Sequence, residues 1–211
     1  MAATILVTGF GPFPVAPFNP TGPLVQRMAR LWRPALAGVK IIPHVFPTTY
    51  AAVDRDLPKL LAKHKPDALL MFGLAPRAKT IRIETRARNT VSLLPDAGGI
   101  ALRRLTIAAG GPAALAMPAP ARRLLAAVSA AGVPATLSRD AGRYLCNYLC
   151  WRAADAAGKP GDPHVAVFVH VPKVRRDPAP RARVKKRHLA PADLARAGGT
   201  ILPAIAVAAR R

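Results

Sequence analysis

The sequence predicts an α/β fold, a mainly parallel sheet with helices on both faces. Three observations predict it. Short apolar runs at residues 4–8, 68–72 and 165–169 end at Gly9, Gly73 and His170, as fully buried strands do. Stretches of helical periodicity separate the runs, which is the signature of βαβ units. The chain has 211 residues, 51% of them hydrophobic, enough for one domain with a sizeable core and short for two.

The elements follow in order. Residues 4–8 read as the first strand. A loop studded with Pro, Gly and Phe leads to helical spacing over 24–36. Residues 39–45 form a second strand. Residues 50–65 form an amphipathic helix, with Leu57, Leu60 and Leu61 on one side and Arg55, Lys59 and Lys63 elsewhere. After the strand at 68–72, residues 79–84 alternate, Ile81 and Ile83 on one face, Arg82 and Glu84 on the other. Residues 112–131 read as largely helical after Gly110 and Gly111. A short strand at 135–138 and a helix at 142–157 follow. Residues 165–171 are β-branched and strand-like. A basic loop at about 173–188 precedes a last helix over 191–209, weakened by Gly198, Gly199 and Pro203. No repeat or linker interrupts this order, so residues 1–211 are expected to form one domain.

Composition excludes several classes. The apolar content excludes a wholly disordered chain. No uninterrupted run of 18 apolar residues occurs, which argues against a membrane span. The start lacks the basic region of a secretion signal. Two cysteines do not make a disulfide scaffold and suit a reducing, cytoplasmic setting. The formal net charge of +22 raises the question of an anionic partner such as nucleic acid. The cations are scattered, however, and aromatic residues are 5% of the chain, where single-strand binders interleave cations with stacking rings.

In parallel sheets, sites form at the carboxyl ends of strands. That directs attention to Phe10, Phe13, Glu84 and His170. Glu84 is the one glutamate in the chain and lies among Arg77, Lys79, Arg82, Arg86 and Arg88. Cys146 falls at the start of the helix expected after Gly142, where the positive end of the helix dipole favours a thiolate. Cys150, one turn on, reads as a buried structural cysteine. His170 ends an apolar strand and is a candidate general base. His164 is roughly 20 Å away at ~3.3 Å per residue, so the two cannot share a metal. No His-Glu-x-x-His or phosphate-binding glycine loop occurs. Glu84, Cys146 and His170 are the parts of a cysteine hydrolase: orienting acid, nucleophile and base.

Four segments carry a family resemblance. They are Val7-Thr8-Gly9-Phe10-Gly11-Pro12-Phe13 with Asn19-Pro20-Thr21; Gly73-Leu74-Ala75 through Ile81-Arg82-Ile83-Glu84 to Asn89; Gly132-Val133-Pro134-Ala135 through Ala141-Gly142 to Cys146-Asn147; and Phe168-Val169-His170-Val171-Pro172. Their order and spacing resemble the pyroglutamyl-peptidase I family of cytosolic cysteine exopeptidases over nearly the whole chain. The resemblance implies a three-layer α/β/α sandwich around a mixed, mainly parallel sheet. It implies removal of an N-terminal pyroglutamyl (5-oxoproline) residue from peptides, with no cofactor and no metal. Carried over by residue, Cys146 is the nucleophile, His170 the base and Glu84 the third member. Phe10 and Phe13 are expected to sandwich the lactam ring, with Thr48 and Leu74 near it and Asn19 and Asn89 supporting loops behind it. Family members are commonly homotetramers, so a homo-oligomer is implied.

The chain also departs from the family. Pro14-Val15 follows Phe13 where many members have Gly-Gly, and Leu74 stands where many bacterial members have Gln. Members usually read Ala-Arg-x-Pro-Asp after the asparagine. Here the stretch is Ser92-Leu93-Leu94-Pro95-Asp96, one residue shorter and without that arginine, and Arg86 and Arg88 are the candidates to replace it. Two competing readings are a hydrolase of another neutral N-terminal cap and a nucleic-acid-binding protein using the basic loop on the same fold.

Overall fold

The computed structural model describes residues 3–14, 16–157, 162–174 and 189–210. The expected basic loop falls largely on residues 175–188, outside the described residues.

A six-stranded sheet has the order β2-β1-β3-β8-β4-β7. Its strands are β1 (Thr4–Phe10), β2 (Lys40–Phe46), β3 (Ala68–Leu74), β4 (Ile81–Glu84), β7 (Ala135–Ser138) and β8 (Val165–Val171). All neighbours run parallel except β4 and β8, which are antiparallel. Two short strands, β5 (Arg86–Arg88) and β6 (Ala114–Ala116), pair separately. Every residue of β3 and β8 is buried, as central strands covered on both faces must be.

Strand alternation divides the core in two. Ile5, Val7, Leu70, Phe72, Val167 and Val169 face one side, against α1 (Thr21–Ala29), α3 (Ala121–Ala130) and α5 (Pro191–Ala209). Leu6, Phe10, Leu69, Met71, Ala166 and Phe168 face the other, against α2 (Tyr50–His64) and α4 (Leu145–Ala156). The result is an α/β/α sandwich. Among the described residues, α5 is the one helix long and apolar enough to cross a membrane by length and composition. Its packing explains the apolarity: Leu194, Ile201, Leu202 and Ile205 are buried in the core.

Three helices differ from the sequence reading by three residues or more at one or both ends, each for a local reason. The helix expected over 24–36 is α1, and it stops at Ala29. Arg33, before Pro34, is extended (φ −149, ψ 145), and a single 3₁₀ turn follows at Pro34–Leu36. A residue preceding proline avoids the helical region. The helix expected over 112–131 begins at Ala121, because Pro118 and Pro120 bar the segment before it and β6 takes residues 114–116. The helix expected from Gly142 begins at Leu145. Gly142 sits at φ 81 in the turn that introduces it, a conformation glycine adopts without strain. At the other face, α2 is capped as its sequence allows: the Thr49 side chain accepts from the Ala52 N–H at 3.2 Å.

Candidate active site

The one antiparallel pairing in the main sheet builds the site. β8 carries His170 to the carboxyl end of the parallel strands, beside Gly73 of β3. β4 arrives there from the opposite direction, with Arg82 opposite His170 and Glu84 opposite Phe168. Glu84 therefore does not sit at the rim of the sheet, as a parallel β4 would have placed it. It lies one pleat deeper and is fully buried. Ile81 and Ile83 face the α1/α3/α5 core, so Arg82 and Glu84 face the α4 side, the face on which His170 lies.

The structure brings Glu84, His170 and Cys146 together. The His170 Nδ1 is 2.8 Å from Glu84 Oε1. The Cys146 thiol lies near enough to the same imidazole to raise its proton affinity. Cys146 is the second residue of α4, whose N-cap Tyr144 provides no side-chain capping bond, so the first backbone N–H groups of the helix have no intrahelical acceptor. Gly73 makes the approach of the thiol possible. A Cβ there would stand 2.8 Å from Cys146 Sγ and 2.6 Å from Phe168 Cζ.

The electrostatics differ for the two cysteines and the histidine. Burial alone would lower the proton affinity of His170. The charges and hydrogen bonds of Cys146 and Glu84 outweigh it, and its pKa is pushed up to about 9. Burial pushes the fully enclosed Cys150 thiol well above the ordinary range, with Glu84 and Cys146 adding to the effect. Cys146 is partly exposed. Among the described residues, no group of three or more His, Cys, Asp or Glu side chains is placed to hold a metal ion.

Cys146 and His170 line a cleft of about 660 Å³ together with Phe13, Leu74, Leu94, Pro95 and Tyr144. Its volume falls in the small-molecule range, and its walls are mostly apolar. Of the two rings expected to clasp a ligand, only Phe13 lines it. Phe10 is 2% exposed and packs on Phe46 with centroids 6.0 Å apart. The second aromatic wall is Tyr144, whose hydroxyl donates to the Pro95 carbonyl at 3.0 Å. Thr48 is also not in the lining. Its hydroxyl donates to the Gly11 carbonyl at 3.1 Å, behind Phe13 in the chain.

Asn19 and Asn89 hold loops. Asn19 donates to the Gly11 carbonyl and accepts from the Thr21 N–H. Asn89 accepts from the Ile107 and Ala108 N–H groups and donates to the Ala108 carbonyl. Asn147 ties α4 to β5 by accepting from Arg88 N–H and donating to the Arg88 and Thr90 carbonyls. Neither Arg86 nor Arg88 lines the cleft. The arginines that do are Arg82 and Arg143, while Arg88 lies 3.5 Å from Asp140. The alternation of residues 81–84 already put Arg82 on the Glu84 face. Nothing in the sequence pointed to Tyr144 or Arg143.

The chain is similar to known proteins along most of its length. The sequence model of the family described as pyroglutamyl peptidase matches residues 3–208. A pyrrolidone-carboxylate peptidase of Pyrococcus furiosus is 33% identical over 176 residues, covering 81% of each chain. One from Halalkalibacterium halodurans is 35% identical over 179 residues, covering 82% of this chain and 85% of its own. Among solved structures, a mutant pyrrolidone carboxyl peptidase of P. furiosus superimposes with a TM-score of 0.84 at 27% identity, covering 97% and 98% of the two chains. The Bacillus amyloliquefaciens pyroglutamyl peptidase I does so with 0.80 at 26% identity, covering 96% and 97%. With the match running over almost every residue, the chain belongs to the pyroglutamyl peptidase family of cysteine peptidases.

Proposed function

We propose that this enzyme hydrolyses the amide bond after an N-terminal pyroglutamyl residue, with Cys146 as nucleophile, His170 as proton carrier and Glu84 as its orienting carboxylate. The observation that carries the reading is the Glu84–His170 hydrogen bond with Cys146 beside the imidazole, opening into an apolar cleft. A thiolate–imidazolium pair is the reactive form. The thiolate attacks the scissile carbonyl carbon, and its oxygen takes the negative charge. The unpaired N–H groups at the start of α4 are the donors that stabilise that oxyanion. The imidazolium gives its proton to the departing amine, the C–N bond breaks, and a thioester remains on Cys146. Water then attacks the thioester and gives a proton to His170. Free 5-oxoproline leaves and the thiolate returns.

Glu84 holds Nδ1 so that the other ring nitrogen serves the thiol, and its charge favours the imidazolium. The lactam carries no charge, so an apolar cleft suits it: Phe13, Leu74 and Tyr144 offer flat and aliphatic surface. A catalytic thiol works only when reduced, which fits a reducing, cytoplasmic setting.

The test is release of a fluorescent amine from its pyroglutamyl amide, compared with the prolyl amide. The reading predicts turnover of the first, little of the second, and none with Cys146→Ala. Equal turnover of both amides, or activity surviving in Cys146→Ala, would overturn it.

A further inference from the structure

We propose that Arg82 is a positioning residue of this site, tying the Glu84–His170 pair to the Ser138–Gly142 turn that delivers Cys146. The assignment rests on the cysteine-peptidase reading above.

Three observations point to it. The first is register. Because β4 and β8 are antiparallel, Arg82 stands directly opposite His170, and Glu84 lies two residues along on the same face. The second is the sharing of one oxygen. Glu84 Oε1 is 2.8 Å from His170 Nδ1 and 3.7 Å from Arg82 Nε. Glu84 Oε2 is buried and has no hydrogen-bond partner among the described residues. Guanidinium and imidazole therefore meet on a single carboxylate atom. The third is the far end of the guanidinium. Its Nη2 donates to Ser138 Oγ at 2.6 Å and to the Asp140 carbonyl at 3.0 Å.

The turn that Arg82 grips is itself well defined. Ser138 pairs with Glu84 across β4 and β7. The Asp140 N–H donates to Ser138 Oγ, and the Gly142 N–H donates to Asp140 Oδ1. Four residues after Gly142 comes Cys146. One planar cation with fixed donor directions thus spans the orienting carboxylate and the approach to the nucleophile. Lysine, with a single charged nitrogen, cannot make both sets of contacts.

This placement has an electrostatic consequence. The groups near the imidazole are Glu84 and Arg82 from β4 and Cys146 from α4, with Cys150 next to Glu84 and Cys146. Asp140, paired with Arg88, lies with Arg143, Tyr144 and Asp96 along the cleft. Among the described residues, Arg82 is the arginine that lies within 4 Å of the Glu84 oxygen that His170 uses, so it tempers the pull of Glu84 on the imidazolium proton. An over-basic imidazolium is a poorer acid toward the departing amine. Arg82 therefore serves kcat twice, by alignment and by keeping the proton transferable.

The experiment compares Arg82→Gln, Arg82→Lys and the parent enzyme on a pyroglutamyl amide, with Cys146→Ala as the control. R82Q is expected to lose about tenfold or more in kcat with KM within about twofold. Its alkaline limb in kcat/KM is expected to move up by about half a unit to one unit, because a neighbouring cation is gone and Arg82 is only partly buried. R82K keeps the charge and loses the fork, so its limb stays at the parent position while kcat remains lowered. Parent kcat and an unmoved limb in R82Q would overturn the proposal. So would a loss confined to KM, which would make Arg82 a substrate contact, or an R82K whose limb moves as far as that of R82Q. Should R82Q fail to fold, R82K decides alone: a lowered kcat with the parent limb supports the proposal, and parent kcat overturns it. Activity surviving in Cys146→Ala would instead overturn the peptidase reading beneath it.

Discussion

Replacing Gly73 with alanine adds one methyl group at the point where β3, β8 and α4 come closest. That Cβ would stand 2.6 Å from Phe168 Cζ, 2.8 Å from Phe168 Cε1 and 2.8 Å from Cys146 Sγ. Ordinary carbon contacts lie near 3.5–4.0 Å, so each neighbour must withdraw by about 1 Å. Phe168 cannot do so freely. It is fully buried on a central strand and stacks edge-on against His170 with centroids 5.0 Å apart. Relief must come from Cys146, from the imidazole through Phe168, or from both. Overpacking of this kind costs about 1–3 kcal/mol, and each kcal/mol lowers the Tm of a domain this size by about 2–4 °C. A displacement of about 1 Å at the nucleophile costs about a hundredfold in rate. Gly73→Ala should therefore fold, melt several degrees early and lose about two orders of magnitude in kcat with a smaller change in KM. Gly22→Ala is the control, since its nearest contacts would be at 3.8 Å. Gly73→Ala with parent kcat would refute the close packing of thiol, ring and strand on which the site rests.

Other consequences concern the triad directly. Glu84→Gln keeps the shape but removes the charge on His170 Nδ1, so kcat should fall by about two to four orders of magnitude with little change in fold by circular dichroism. The alkaline limb of that variant should also move down, because Glu84 is one of the groups raising the His170 pKa. In the parent enzyme, kcat/KM measured against pH should decline through about 9, the value to which His170 is raised. The same shift stabilises the folded chain below the ordinary histidine value of about 6.5, and that contribution is lost as pH rises through about 9. Iodoacetamide followed by peptide mapping should label Cys146 well ahead of Cys150, which is buried with its thiol pKa pushed up. Equal labelling would contradict the assignment of the two thiols.

Much of this was legible because single residues carried unambiguous signals. The β-branched run of β8 reads as a strand, and α5 reads as a helix even though Gly198, Gly199 and Pro203 weaken it. Val165–Val171 and Pro191–Ala209 have the bounds expected from the sequence. The direction of β4 was not legible. Ile81 and Ile83 give its alternation, but alternation is the same whichever way a strand runs, and only pairing with β8 shows that Arg82 stands beside His170. Strands β5 and β6 were hidden by their length: three residues give no period, and residues 112–131 read as one helical stretch. Phe10 lies on the strand and Phe13 beyond it, a difference the sequence did show. Extending β1 from Leu6 through Thr8 by alternation puts Phe10 on the same inward face, where it is buried with Phe46. Phe13, beyond the strand end, is the ring left for the cleft. Tyr144 reaches the cleft only because Gly142 turns the chain at positive φ just before α4, a tertiary fact with no periodic trace.

The central claim is that Cys146 becomes acylated by the pyroglutamyl group. The most direct measurement is acid quenching of the enzyme during turnover of an activated pyroglutamyl ester, followed by mass analysis of its peptides. The account predicts one pyroglutamyl group on the peptide containing Cys146, sensitive to hydroxylamine and missing in Cys146→Ala. Turnover with an acyl group on another residue, or turnover that persists in Cys146→Ala, would contradict it.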